Sequence, residues 1–468
     1  MFPHFDEIVA AVPESERYPR LDELEASSER LAAASSRVEL WTPGASRAGR
    51  PLRCLEVAGG PLRATLIGLP HADERVGSLA LEFLLPTLAD GLADELGFSF
   101  SVVVAGDPDA ALLNEPWLEE PYDLAGYLLR AYRPASFDQS DLTFPSAYKR
   151  YEYTGASPEA EAVARVIRER PLDFHMGLHN SALGGAHCDL SEEDARLQEE
   201  LAAAVAAAKL PLHWGEPPLP YQHRFAPGFF RTVGLADDYD FHAAFGADPA
   251  VVLTSGTSSA DYAASAWGCF TLAAEVPCFT SPKIADASSS GFSRREARLR
   301  GLEALQELLG WLLERYVAAA PMLTRDSPWQ RAVHAHLSAA KYGLRAERRQ
   351  AETLAEYEQE ATVAQYFDSV YVRELGALIE VGMFVNMLDA EPVRHAALDA
   401  LAAEAAAEVR TRVARLVAAG GIEAPPIRRL AQCQVAALLC TLVAVRERHP
   451  RRRSRVERQR GDPPLAAM

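Results

Sequence analysis

The stretch ATLIGLPHADERVGSLALEFLL, residues 64–85, joins a short apolar run, a polar cluster and a longer apolar run. The first run ends at Leu69-Pro70 and reads as a strand; the second keeps helical period to about residue 96. A strand feeding a long helix is the repeating unit of an α/β fold. It also sets His71 at the carboxyl edge of a sheet, where α/β proteins place ligand sites, with Glu74 three residues on at the helix start.

The same alternation continues outward. PLRCLEV and FSFSVVVA read as strands, followed by helices near 157–170, 191–208 and 258–267 and by strands at PLDFHMGL, AVVLT (250–254) and CFTLAAE (269–275). Strands alternating with helices of this length predict a mostly parallel or mixed sheet covered on both faces. Beyond about residue 293 the strand signal stops, and Ala/Leu periodicity with interspersed charge predicts helices. The expected organisation is an α/β domain at 1–320, an all-helical region at 321–447 serving as a packing or homo-oligomer layer, and a basic, disordered tail at 448–468.

Composition narrows the function. A 468-residue chain with 49% apolar and 24% charged residues is an ordinary globular protein, and a net charge of −18 argues against a nucleic-acid partner. MFPHFDEIVAAVPESERYPR lacks a basic segment followed by an apolar one, and no run approaches 18 apolar residues, so neither a secretory signal nor a membrane span is read. Six cysteines without CxxC spacing predict free thiols and a cytoplasmic location.

His-x-x-Glu occurs three times, at His4, His71 and His213, so the motif alone decides nothing. Asp73 and Glu74 would also suit a bare helix start through the macrodipole. A catalytic zinc needs a third ligand. PLDFHMGLHNSALGGAH offers His179 at a strand end, either as a ligand or as a core histidine. His175 lies deeper in the strand, and Asp173 is placed to orient an imidazole from behind. Glu275 closes an apolar strand, where a carboxylate is costly unless paired, hydrated or working as a base. Metal-assisted hydrolysis commonly uses a glutamate in that role.

Together these segments resemble the zinc carboxypeptidase family over about residues 18–285. RYPRLDELEASSERL and TPGASRAGRPLRCLEV look like its opening helix and strand entry; LPHADERVGS and LHNSALGG match its zinc motifs; SSADYA followed by FTLAAEVP is similar to its Asp-aromatic helix and catalytic-glutamate strand. The resemblance implies a three-layer α/β/α sandwich around a mixed, roughly eight-stranded sheet. It also implies Zn2+ held by His71, Glu74 and His179, with Glu275 as general base. Asp109 would orient His71 and Asn114 would contact substrate. The chain departs from the family in having no arginine in DPDAALLNEPW to hold a substrate carboxylate. Arg133 is the preferred substitute and Arg130 the other, although each also reads as a surface arginine. Leu253 stands where a tyrosine is expected, and Ala260 carries no charge to select a basic side chain. The expected activity is hydrolysis of an amide bond in a peptide or peptide-like substrate. The alternatives are an N-acyl amino acid deacylase on the same fold, or a non-catalytic peptide-binding module.

Overall fold

The computed structural model describes residues 3–118, 123–246, 248–393 and 395–461, with side chains to residue 448. Its strands are β1 (Val38–Trp41), β2 (Cys54–Val57), β3 (Leu62–Ile67), β4 (Phe98–Val103), β5 (Ser146–Tyr148), β6 (Tyr151–Tyr153), β7 (Phe174–Gly177), β8 (His187–Leu190), β9 (Arg224–Ala226), β10 (Phe229–Arg231), β11 (Phe270–Glu275), β12 (Ser289–Ser293) and β13 (Glu360–Thr362). Nine of them form one mixed sheet in the order β1-β2-β4-β3-β7-β11-β8-β10-β9; β5-β6 and β12-β13 are separate pairs. The centre, β4-β3-β7-β11, is parallel, and β8 joins β11 antiparallel.

Two apolar layers follow from strand alternation. Leu55, Leu66, Val102 and Met176 enter one core, and their neighbours Cys54, Ile67 and Val103 enter the other. Helices Val76–Thr87, Ala195–Ala207 and Ile427–Gly461 pack together over the first face. Helices Pro158–Glu169 and Ser259–Trp267 cover the second. The chain is thus an α/β protein with an additional helical C-terminal region.

That region does not stand apart. Helix Ile427–Gly461 returns to the sheet and lies against β7 and β11, between helices Val76–Thr87 and Ala195–Ala207. Residues 462–468 of the expected tail lie outside the described residues. Two stretches, Val76–Leu96 and Ile427–Arg448, are long and apolar enough to cross a membrane, yet 67% and 78% of their most apolar windows are buried inside the protein. Their apolar character is explained by packing on both sides.

One predicted strand is a helix. AVVLT falls largely in Pro249–Val252, because Asp248 caps Ala250 N at 3.0 Å and Pro249 supplies the first helical φ. Conversely β8, β9 and β10 were not read, being three or four residues long without an apolar run. The predicted 75–96 helix begins at Val76 and continues through a widened turn at Leu88–Leu92, where Gly91 takes φ 125°.

Candidate metal centre

Because β3, β7 and β11 run parallel and in register, their carboxyl ends open at one edge of the sheet. Beyond β3 the chain turns sharply. Leu69, fully buried, takes φ 47°, a left-handed conformation that costs on the order of 1–2 kcal/mol for a side chain of its kind. Glu74 N then donates to His71 O at 3.1 Å, so HADE is a tight turn rather than the first turn of the helix. The helix starts at Val76, whose N–H donates to Asn180 Oδ1 at 3.0 Å. The helix-start role expected of the two acids is therefore taken by an asparagine from the next strand end.

Freed from capping, the acids face inward. Glu74 Oε1 lies 2.8 Å from His71 Nδ1 and Oε2 lies 2.9 Å from His179 Nδ1. Asn180 N also donates to Oε2, at 3.1 Å. The imidazole rings stand 5.0 Å apart. His179 folds back over Gly177, where a Cβ would come within 2.5 Å of its Nε2, so only glycine fits at that point of β7. Gln434, from the returning C-terminal helix, fixes the backbone by donating to His179 O at 2.7 Å. Asp141 Oδ2 stands 3.9 Å from His179 Nε2 on the side away from Glu74.

One ligand atom from each of His71, Glu74 and His179 lies within 4.8 Å of the others. Two imidazole nitrogens and one carboxylate form a donor set suited to a divalent ion such as zinc, with further coordination positions left open. The electrostatics are those of a cation site. Burial opposes ionisation of Glu74, but the two imidazoles hold its carboxyl well below the usual range. Burial likewise works against the His179 imidazolium, yet Glu74 pushes the pKa of His179 up to about 10. Both trends express the strong mutual attraction of the three groups, which is also what would draw a divalent cation to them.

Glu275 ends β11 in cross-strand register with His187 and is half-buried. Crowding by protein atoms, reinforced by the charge of Glu74, pushes its carboxyl up to about 8. Asp189, opposite Ala273 on the same face, is pushed up to about 6 by burial and adds to that rise. Arg133 is brought to the same place: Nη2 donates to Glu74 Oε1 at 2.9 Å and Nε to Asp73 Oδ1 at 3.3 Å. Tyr127 Oη holds the other Asp73 oxygen at 3.1 Å.

Other expected roles are not fulfilled. Asn114 is buried and its amide is saturated: Nδ2 donates to Ala110 O and Tyr132 O, and Oδ1 accepts from Trp117 Nε1 and Tyr132 N. It ties Ala110 and Trp117 to Tyr132 and has no polar atom left for substrate. Asp109 turns away from His71 to accept from Ala48 N at 2.8 Å beside Arg50. His175 points through the sheet to Ser259 Oγ at 3.1 Å, and burial lowers its pKa to about 3. Asp173 joins strand starts, accepting from Arg63 N at 2.9 Å. Arg130 donates to Pro116 O at the surface. Asp141, Asn180 and Gln434 carried no local signal. Tertiary packing alone delivers them.

No family model matches the chain, and neither does any curated protein. Among solved structures, carboxypeptidase A from Helicoverpa armigera is similar over 58% of this chain and 70% of its own, at 13% identity and TM-score 0.37. A metallo-carboxypeptidase from Burkholderia cenocepacia is similar over 55% and 60%, at 16% identity and TM-score 0.33. Bovine thrombin-activatable fibrinolysis inhibitor, in complex with a tick carboxypeptidase inhibitor, is similar over 55% and 86%, at 14% identity and TM-score 0.30. These are partial likenesses of chain path at low score, and nothing about the chemistry of this chain follows from them. What this chain's own fold and site define is an α/β protein with a buried His-Glu-His group at the carboxyl edge of its sheet.

Proposed function

We propose that the chain is a zinc-dependent hydrolase that cleaves an amide bond in a peptide or peptide-like substrate. The observation that supports this reading is the convergence of His71 Nδ1, Glu74 and His179 Nδ1, with Glu275 close enough to feel the charges of Glu74 and His179. His71, Glu74 and His179 would hold the ion. When bound, zinc supplies Lewis acidity toward a carbonyl oxygen and toward water. Glu275 takes a proton from the attacking water on its carboxylate and returns it to the nitrogen of the leaving amine, so the carboxylate is regenerated. Arg133 is first a positioning residue, fixing Glu74 and Asp73 relative to each other.

That commitment of Arg133 supports a second reading of specificity. Nε and Nη2 are engaged by Asp73 and Glu74, so the side-on face of the guanidinium is taken and its charge is already shared with two carboxylates before any substrate carboxylate arrives. An amidase or N-acyl amino acid deacylase, for which a free C-terminal carboxylate at this arginine is dispensable, fits the arrangement as well as an exopeptidase does.

Metal analysis of the purified full-length chain tests the proposal. About one equivalent of zinc is expected, and less than about a tenth of an equivalent would sink it. Glu275→Gln should keep the metal and lower hydrolysis by about 10²–10⁴-fold; unchanged turnover would remove Glu275 from the mechanism. C-terminally free and blocked peptides, compared with N-acyl amino acids, separate the two specificities.

A further inference from the structure

The helical region reaches the candidate site through two helices. In helix Pro328–Thr353, Trp329 stacks edge-on against Tyr132 at 4.6 Å, and His336, two turns on, lies on the same face. In helix Arg373–Asp389, Met383 Sδ accepts from Arg133 N at 3.4 Å, and Glu380, one turn earlier, shares its face. His336 and Glu380 thus meet beside the 132–134 segment, with His336 Nδ1 4.0 Å from Glu380 Oε1.

The chemistry of this pair is incomplete. His336 Nδ1 has no hydrogen-bond partner among the described residues. With the ring proton on Nε2, Nδ1 presents a lone pair. Glu380 Oε2 is also buried without a partner. His336 Nδ1 and the Glu380 carboxyl thus lie together with no cation between them among the described residues. The nearby cation, Arg133, is occupied by Asp73 and Glu74. Burial raises the Glu380 carboxyl to about 8 and, with the Arg133 charge, lowers His336 to about 4, as expected for groups stripped of water and of counter-charge.

We propose that His336 and Glu380, beside the Arg133 segment that braces the metal centre, form a subsite that receives a primary ammonium group of the substrate, the ammonium donating to Nδ1 of one and to the carboxylate of the other. An ammonium carries three donors and one positive charge, which is what two unpartnered acceptors and a buried carboxyl lack. The substrate class narrows to amine-bearing peptides or acyl-amines, and the helical region becomes part of the specificity machinery. This assignment rests on the hydrolase reading for the identity of the bound molecule.

Calorimetric titration of the zinc-loaded, full-length Glu275→Gln chain tests it. Two matched probe pairs distinguish the source of the amine: N-acetyl-Ala-Lys against N-acetyl-Ala-norleucine for a side chain, and Ala-Ala-Leu against its N-acetylated form for a terminus. In one pair the amine-bearing probe is expected to bind at least about tenfold tighter. Adding Glu380→Gln or His336→Phe should reduce that preference to below about threefold. No preference in either pair overturns the proposal, as does a preference that survives both substitutions in chains shown to be folded by thermal unfolding. Should neither variant fold, propylammonium competing with the amine-bearing probe in the Glu275→Gln chain, where propanol does not, carries the test, and equal competition by the two overturns the proposal. Amine preference without hydrolysis by the unmodified chain defeats the hydrolase reading alone. Hydrolysis without amine preference defeats the subsite alone.

Discussion

Two segments with the same spacing, His71-Ala-Asp-Glu74 and His213-Trp-Gly-Glu216, both bury their glutamate and end in opposite roles. At the first, the glutamate carboxylate lies between two imidazoles and its histidine presents Nδ1 to the same point. At the second, His213 Nε2 donates to the backbone carbonyl of Glu216 at 2.8 Å, while the carboxylate turns away to Arg294, whose Nε and Nη2 reach it at 2.8 and 2.7 Å. One glutamate is shared between two imidazoles and a single Arg133 contact, whereas the other is taken up on both oxygens by one arginine. The spacing sets what the turn can bring together, and the neighbours supplied by other elements decide whether the carboxylate is spent.

The largest expected contrast is in metal binding. His71→Ala and His179→Ala should each take bound zinc from about one equivalent to less than about a tenth and abolish hydrolysis. His213→Ala should leave the stoichiometry intact. Elemental analysis of dialysed protein reads both, and zinc loss in the His213 variant would erase the distinction. The next effect is on stability and falls on the other segment. Arg294→Met strands a Glu216 that is 1% exposed, and removing one partner of a buried pair costs about 3–5 kcal/mol. Denaturant unfolding should show that loss while zinc content stays at its original value.

The difference between these segments was legible in part. A strand before His71, and a second strand ending at His179, distinguished HADE from HWGE by periodicity alone, because the parallel centre of the sheet is built from apolar runs. Glu275 was legible for the same reason: a carboxylate terminating FTLAAE stands out against its own strand. What could not be read was which way a polar side chain turns once the chain is folded. Asp73 looked like a helix-start charge until Asn180 took the helix N-terminus and left Asp73 to Arg133 and Tyr127. Asn114 sits near the right place in sequence and is consumed by its own loop. The edge strand β9 and its neighbour β10 are too short to show a period, and the return of helix Ile427–Gly461 to the sheet is a matter of long-range packing that local pattern does not encode.

Acid sensitivity distinguishes the regions more gently. His187, 5.4 Å from His213 and in register with Glu275, has its pKa lowered to about 3, chiefly by burial and then by His213. The folded chain therefore holds this ring neutral while the unfolded chain takes a proton below about pH 6.5. Stability is complete above that pH and declines as pH falls from about 6.5 toward 3, reaching a loss of about 2 kcal/mol from this group at about pH 5. His187→Gln should flatten that part of the stability profile. An unchanged slope between pH 7 and 5, measured by denaturant unfolding, would assign the acid sensitivity to other buried histidines such as His175.

The smallest effect tests what stands behind each imidazole. His179 has Asp141 at 3.9 Å on its far nitrogen, while His71 Nε2 has no partner among the described residues. A carboxylate behind a ligating histidine fixes the ring and raises its basicity, and losing one typically weakens metal affinity by about 10–100-fold. At 3.9 Å Asp141 acts mainly through its charge, so Asp141→Asn should fall at the low end of that range, with the fold and the zinc stoichiometry at saturation unchanged. Competition with a chelator reads the affinity directly. A loss as large as that of His179→Ala would promote Asp141 from support to ligand, while no loss would show that Gln434 on the backbone and Gly177 beneath the ring suffice to hold His179 in place.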